Sequence, residues 1–228
     1  TTIDGNTYAI IVATADDGIE IIDITAPTSP TSVGRLGDTG TNDAEDSSRC
    51  TVANGERCLN GAKEVGIYTR SGSTYAVVTA STDDGIEIID ISDPTSPTSV
   101  GRLGEADDTS RELDGAKGIA IETINGTPYA IVGSLVDDGI EIIDISDPTN
   151  PTSVSRVVDT GTGLCTVTNG ERCLGGVRQI AIAEVGGIGD TSGTHYVITA
   201  GRFDNGIDVI DISDPENPTY LLSITDDD

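Results

Sequence analysis

Apolar and polar residues alternate along this chain in short runs, each closed by a Gly- or Pro-containing break. One stretch shows the pattern in full. Ala116–Glu122 (AKGIAIE), Tyr129–Leu135 (YAIVGSL), Ile140–Ile145 (IEIIDI) and Ser153–Val158 each read as a strand. Asn125-Gly126, Asp137-Asp138-Gly139 and a Ser-Asp-Pro-Thr-Asn-Pro corner separate them. Ile, Val and Tyr fill the runs while Gly, Asn and Pro fill the breaks, as strands and turns require. No segment sustains a helical period. The strands are apolar on both sides: in IEIIDI, Ile140 and Ile142 point one way, Ile143 and Ile145 the other. A sheet of that kind is sandwiched between two others.

The same unit is written four times. Residues 16–31 read DDGIEIIDITAPTSPT, 83–98 DDGIEIIDISDPTSPT, 137–152 DDGIEIIDISDPTNPT and 204–219 DNGIDVIDISDPENPT. A repeated supersecondary unit buries its apolar faces only by stacking on its copies. Four antiparallel strands per repeat, stacked face to face, make a β-propeller blade. The expected fold is therefore all-β, a propeller-like array of four four-stranded blades over residues 1–37, 60–104, 115–158 and 176–225. Insertions at 38–59 and 159–175 interrupt it. Aligning Thr1–Gly18 with Glu122–Gly139 leaves the first blade without its innermost strand. The backbone of Tyr8–Ala13 is then expected to lack partners. This predicts head-to-tail association of copies, with Tyr8, Ile10 and Val12 at one end and Asp226 and Asp228 at the other.

The string D-G-I-E-I-I-D-I-S-D-P-T-x-P resembles the LVIVD repeat of bacterial and archaeal surface or secreted proteins, in all four units. The resemblance implies a propeller and an extracellular or cell-surface location. It implies no activity, because that family carries no uniform one.

Composition sharpens the picture. There are 39 acidic residues against 12 basic ones, a formal net charge of −27. Nucleic acid, which needs Lys and Arg clusters, is excluded as a partner. No run approaches the roughly 18 apolar residues of a membrane helix, so membrane insertion is not expected. The chain opens partway through a repeat with no initiating Met, and reads as a processed or excised portion of a longer product. Met and Trp are absent and Phe203 is the one Phe, so Ile, Val, Ala, Leu and Tyr build the core.

With blade strands lettered A to D from the inside, the B–C turns and D–A connections share one face. That face holds Asp16, Asp17, Asp83, Asp84, Asp137, Asp138 and Asp204, with Asp38, Asp43, Asp46, Asp107 and Asp108 beside them. Several carboxylates at flexible spacing suit Ca²⁺, the expected cofactor. The alternative for each Asp pair is plain turn chemistry. Lys63, Lys117 and Arg178 occupy one equivalent position at the start of strand A. They either bind an anion at the channel mouth or, the favoured reading, pair with nearby carboxylates. Asp23, Asp90, Asp144 and Asp211 recur at strand ends and are expected to cap the following corner. The sequon Asn125-Gly126-Thr127 is a glycosylation candidate on the opposite face.

Cys50-TVANGER-Cys58 and Cys165-TVTNGER-Cys173 each read as a hairpin whose cysteines face one another. Two disulfides, Cys50–Cys58 and Cys165–Cys173, are expected, and they point to an oxidising compartment. The rival is a four-thiolate zinc site, disfavoured by the long spacing.

The leading function is a non-enzymatic extracellular structural or adhesive protein, a self-assembling surface-layer or filament subunit stabilised by Ca²⁺. A ligand-binding propeller for glycans or other surface proteins is second. A metal-dependent hydrolase is third, because the inner strands offer Lys63, Glu64, Lys117, Arg178 and Gln179 rather than a calcium centre.

Overall fold

A computed structural model of the chain describes residues 1–38, 57–104, 110–159, 174–186, 193–203 and 206–225. Four antiparallel sheets of four strands account for its regular structure. The first contains β1 (Thr2–Ile3), β2 (Asn6–Ala13), β3 (Gly18–Asp23) and β4 (Thr31–Gly37). The second contains β5 (Ala62–Arg70), β6 (Ser73–Ala80), β7 (Gly85–Asp90) and β8 (Thr98–Gly104). In the third are β9 (Ala116–Ile124), β10 (Thr127–Ser134), β11 (Gly139–Asp144) and β12 (Thr152–Val158). The fourth holds β13 (Val177–Val185), β14 (Thr194–Gly201), β15 (Gly206–Asp211) and β16 (Thr219–Thr225). Each sheet is a meander in chain order, the topology of a propeller blade.

The two-sided strands explain the stacking. Ile19, Ile21 and Leu36 of the first blade pack on Ala76, Val78, Ile89 and Ile91 of the second. Ile86, Ile88 and Leu103 of the second meet Ala130, Val132, Ile143 and Ile145 of the third. Ile140, Ile142 and Val157 of the third meet Val197, Ile210 and Ile212 of the fourth. Each third strand thus sends two apolar side chains forward and two back. Burying one such side chain is worth about 1.5–3 kcal/mol. A lone blade forfeits most of that.

The outer strands approach the next blade closely. A Cβ on Gly34 would overlap the Pro94 carbonyl oxygen, and one on Gly101 the Pro148 carbonyl oxygen. At the equivalent place Ser155 donates its hydroxyl to the Pro215 carbonyl at 2.5 Å. The repeated strand-end carboxylates cap the corners as expected. Asp23, Asp90, Asp144 and Asp211 accept the N–H of Thr25, Ser92, Ser146 and Ser213 at 2.7–2.9 Å.

The first blade departs from expectation. Its inner strand, expected to be missing, is present as the two residues of β1. Tyr8 donates its N–H to the Thr1 carbonyl at 2.8 Å and accepts the Thr1 ammonium at 3.0 Å. Tyr8 is therefore paired, and the open edge of β2 begins at Ile10. The side chains of Tyr8, Ile10 and Val12 turn toward the second blade and pack on its core.

Candidate functional site

The Asp-Asp-Gly turns are built into the contacts between blades. The second Asp of each has positive φ: 48° at Asp17, 52° at Asp84 and 56° at Asp138. In that conformation its carboxylate reaches the next blade. Asp17 accepts the N–H of Gly61 at 2.8 Å, Asp84 that of Gly115 at 2.9 Å and Asp138 that of Gly176 at 2.7 Å. These glycines, themselves at φ of 64° to 70°, open the inner strands. The first Asp serves its own blade: Asp83 accepts from Asn60 N–H at 2.9 Å and Asp137 from Asp114 N–H at 2.7 Å. Asp16 is exposed.

This face is electrostatically crowded. Burial first, then the charges of Asp38, Asp17 and Asp84, push the Asp83 carboxyl up to about 7, against the pull of the Asn60 N–H. Among the described residues no three carboxylate, thiolate or imidazole groups converge on a point where a metal could sit. The expected ligands Asp43, Asp46, Asp107, Asp108 and Asp204 lie outside the described residues, as do Asp226 and Asp228 of the expected self-association end.

A second set of carboxylates, which the sequence reading passed over, lies inside the blades. Glu87 and Asp208 are fully buried, and Glu141 nearly so. Glu87 accepts from the Ser99 hydroxyl and the Cys58 N–H, with Arg102 Nε at 3.8 Å. Glu141 accepts from the Ser153 hydroxyl and the Glu112 N–H. Asp208 accepts from Thr199, Tyr220 and Ser223. Burial raises Glu87 and Glu141 while these donors oppose it. Glu87 and Glu141 tie the segments preceding β5 and β9 to their blades, and Asp208 links β14, β15 and β16 within the fourth blade. The signal was visible: an acidic residue repeated in the middle of a strand apolar on both faces.

The inner strands β5, β9 and β13 lie side by side. Each begins with a bulge in its pairing to the neighbouring strand, at Lys63-Glu64, Lys117-Gly118 and Arg178. A bulge re-aims the side chains it carries. Glu64 crosses the blades: its carboxylate accepts from Ile119 N–H at 3.2 Å and from Gln179 Nε2 at 2.7 Å. Among the described residues no ion pair joins Lys63, Lys117 or Arg178 to a carboxylate, although Glu64 attracts Lys117; most of the acidic residues of the insertions lie outside the described residues. His195 stands apart, its Nδ1 3.2 Å from Glu122 Oε1.

The two end blades expose what the inner interfaces bury. On the fourth blade Ile207, Leu221, Leu222 and Ile224 are 45–55% exposed. The counterparts of Ile207 (Ile86 and Ile140) and of Ile224 (Leu103 and Val157) are at most 5% exposed. On the first blade Ile11 is 45% exposed, whereas its counterpart Val78 is fully buried. Asn125 sits in an exposed turn at φ 53°. Cys58 is buried and disulfide-bonded. Cys50, Cys165 and Cys173 lie outside the described residues.

Solved structures share this architecture. A functionally unknown protein from Desulfotomaculum acetoxidans matches 98% of the chain at 15% identity with a TM-score of 0.58, over 54% of its own length. A protein from Lactobacillus plantarum matches 95% at 13% identity, TM-score 0.59, over 53% of its length. An exo-β-1,3-galactanase from Phanerochaete chrysosporium matches 99% at 10% identity, TM-score 0.55, over 48% of its length. The chain thus spans about half the length of these structures. At such identities the likeness concerns the fold alone. No curated protein is significantly similar in sequence. The LVIVD repeat matches at residues 4–38, 74–104, 129–159 and 196–226, more than half of the chain. Those segments hold the outer three strands and the capped corner of every blade, so the chain belongs to the LVIVD repeat family.

Proposed function

We propose that this chain is a non-enzymatic, extracellular structural module that associates with copies of itself, the forward face of one fourth blade on the rear face of another copy's first blade. The observation that carries this is the pair of open apolar faces. Ile207 and Ile224 occupy the positions that bury Ile86 and Leu103 in the second blade, and Ile11 the position of Val78. The chain's own interfaces are the template for the contact. Such a contact is heterologous, so it propagates unless the rotation closes. Backbone bonding at the open edge of β2, from Ile10 onward, adds to it by strand addition.

The energetics favour weak, additive contacts. Half-burying an Ile or Leu yields roughly 1 kcal/mol, and association costs about 4 kcal/mol or more in lost freedom. Leu222 stands where Gly34, Gly101 and Ser155 let a Pro corner approach, so the outer strands at this contact are splayed. Assembly is thus expected at high local concentration, as on a surface.

Sedimentation velocity at micromolar and higher concentrations tests the reading. Ile224→Asp and Ile11→Asp each block one end, and a mixture of the two variants is expected to give a one-to-one dimer. Strictly monomeric wild-type protein at every concentration refutes it. Calcium stabilisation of the acidic face belongs to the same proposal, supported by the repulsion that Asp17, Asp38 and Asp84 exert on Asp83. An unchanged melting temperature in excess chelator removes that part alone. The pairings Cys50–Cys58 and Cys165–Cys173 and glycosylation of Asn125 are further parts of this extracellular reading. Mass spectrometry of unreduced protein from its native source checks both.

A further inference from the structure

Four of the 12 basic residues in this acidic chain gather where the inner strands begin. Lys63, Lys117 and Arg178 each lie in the opening bulge of β5, β9 and β13. The bulges are pinned from neighbouring blades. Thr14 Oγ1 donates to the Ala62 carbonyl at 2.7 Å, and Thr79 Oγ1 to the Lys117 carbonyl at 2.7 Å. The backbone of β13 lies against Gly118, where a Cβ would stand 2.9 Å from the Arg178 carbonyl oxygen. Arg202 follows β14 and is anchored through its N–H to the Gly176 carbonyl at 3.0 Å. The four cations are thus held near one another by the backbone.

Among the described residues their charge is met only in part: the Arg202 guanidinium carbon lies 5.3 Å from the centre of the Phe203 ring, and Glu64 attracts Lys117. Among the described residues none of the four makes an ion pair. The carboxylate among them, Glu64, has both oxygens engaged by Ile119 N–H and Gln179 Nε2. Arg178 Nε is shielded from solvent with no hydrogen-bond partner. Burial, then Arg178, Lys63 and Arg202, hold the Lys117 ammonium below its ordinary value, with Glu64 opposing. Charges more than about 8 Å from the cluster are largely screened at physiological ionic strength.

We propose that the start of the inner strands is an anion site, in which Lys63, Lys117, Arg178 and Arg202 hold a small, doubly charged oxyanion of the phosphate type, free or as a monoester. Phosphate suits the arrangement because its oxygens accept from several directions at once. Arg178 supplies a planar fork of donors and the lysines supply point charges. The orphaned Arg178 Nε gains a partner, and the repulsion that depresses Lys117 is relieved.

Calorimetric titration of the intact chain in about 0.1 M salt tests this, with inorganic phosphate and glycerol phosphate as separate probes. Saturable binding to one site is expected. Tighter binding of the ester identifies a phosphomonoester as the physiological form, and tighter binding of the inorganic ion identifies free phosphate. Removing one charge-assisted donor by Arg178→Met or Lys117→Met is expected to weaken binding about tenfold or more. Arg156→Met, on an outer strand, leaves it unchanged. Bound phosphate should also raise the midpoint of Lys117 titration, read by NMR of its side chain. Absence of saturable heat with both probes overturns the proposal, as does equal affinity in the wild type and both inner-strand variants. Circular dichroism of each variant shows that it is folded.

Discussion

Replacing Gly101 by alanine puts a methyl group where another blade's backbone already stands. The new Cβ would overlap the Pro148 carbonyl oxygen and lie 3.1 Å from its carbon and 3.2 Å from Pro151 Cδ. Those neighbours do not yield easily. The corner that holds them is fixed by the Asp144 carboxylate on Ser146 N–H at 2.7 Å and by Asp147 on Thr149. Overpacking of this kind costs about 1–3 kcal/mol. Alanine recovers about 0.4–1 kcal/mol by restricting the unfolded chain. The net loss is then roughly 1–2 kcal/mol, and at ~2–4 °C per kcal/mol for this chain length the midpoint falls by about 2–8 °C. Thermal unfolding followed by circular dichroism measures it. Hydrogen exchange should show faster opening of β8 and the β11–β12 corner, with the first blade unaffected. Gly72→Ala is the control: it has positive φ but no atom within 4 Å of the added methyl, so its cost comes from backbone strain alone. A Gly101→Ala protein as stable as the wild type, with unchanged exchange in β8, would falsify the claim that outer strands set the blade spacing.

Asp83 and Glu112 are both pushed up to about 7, chiefly by burial. The folded chain therefore holds protons at mild acidity that the unfolded chain, with ordinary carboxyls, has released. Their contribution is full below about pH 4 and is lost as pH rises through 7, so Asp83→Asn and Glu112→Gln should flatten the decline in melting temperature between pH 5 and 8. An unaltered profile in both variants speaks against it. Asp138→Ala leaves the Gly176 N–H without its partner and places alanine at positive φ, a loss of about 1–3 kcal/mol in urea unfolding. Asp138→Asn keeps the acceptor and tolerates that φ, so it should stay close to wild type. Ile143→Ala empties a fully buried site between the second and third blades, and about 2–5 kcal/mol should be lost. A cost under 1 kcal/mol there would show that the blades do not stack as described.

Much of the blade was legible because its rules are local. Alternation, Asp-Gly turns and Asp-Pro corners act over a few residues, so the strands of the third unit came out close to their observed bounds. The corner caps followed from repetition: Asp23, Asp90, Asp144 and Asp211 do the same work in every unit. The acidic face was only half legible. Sequence placed Asp17, Asp84 and Asp138 in turns, but their reach to glycines of the following blade depends on a stacking distance that no single repeat encodes. Ion pairing was harder still. Lys63, Lys117 and Arg178 had abundant carboxylates near in sequence, yet the opening bulges set all three at one equivalent position on adjacent inner strands.

The sequence by itself determined the unit: four copies of a strand set apolar on both faces, with turns and corners punctuated by residues suited to them. That alone forces copies to stack, because neither face of an inner blade tolerates water. Only the tertiary structure decided which face of β2 remains open, since Tyr8, Ile10 and Val12 pack on the second blade and leave Ile11 outward. It also decided where the charges meet. Side-chain direction at a bulge and spacing between blades arise from the packing of whole sheets, and such long-range geometry is absent from any local pattern of residues.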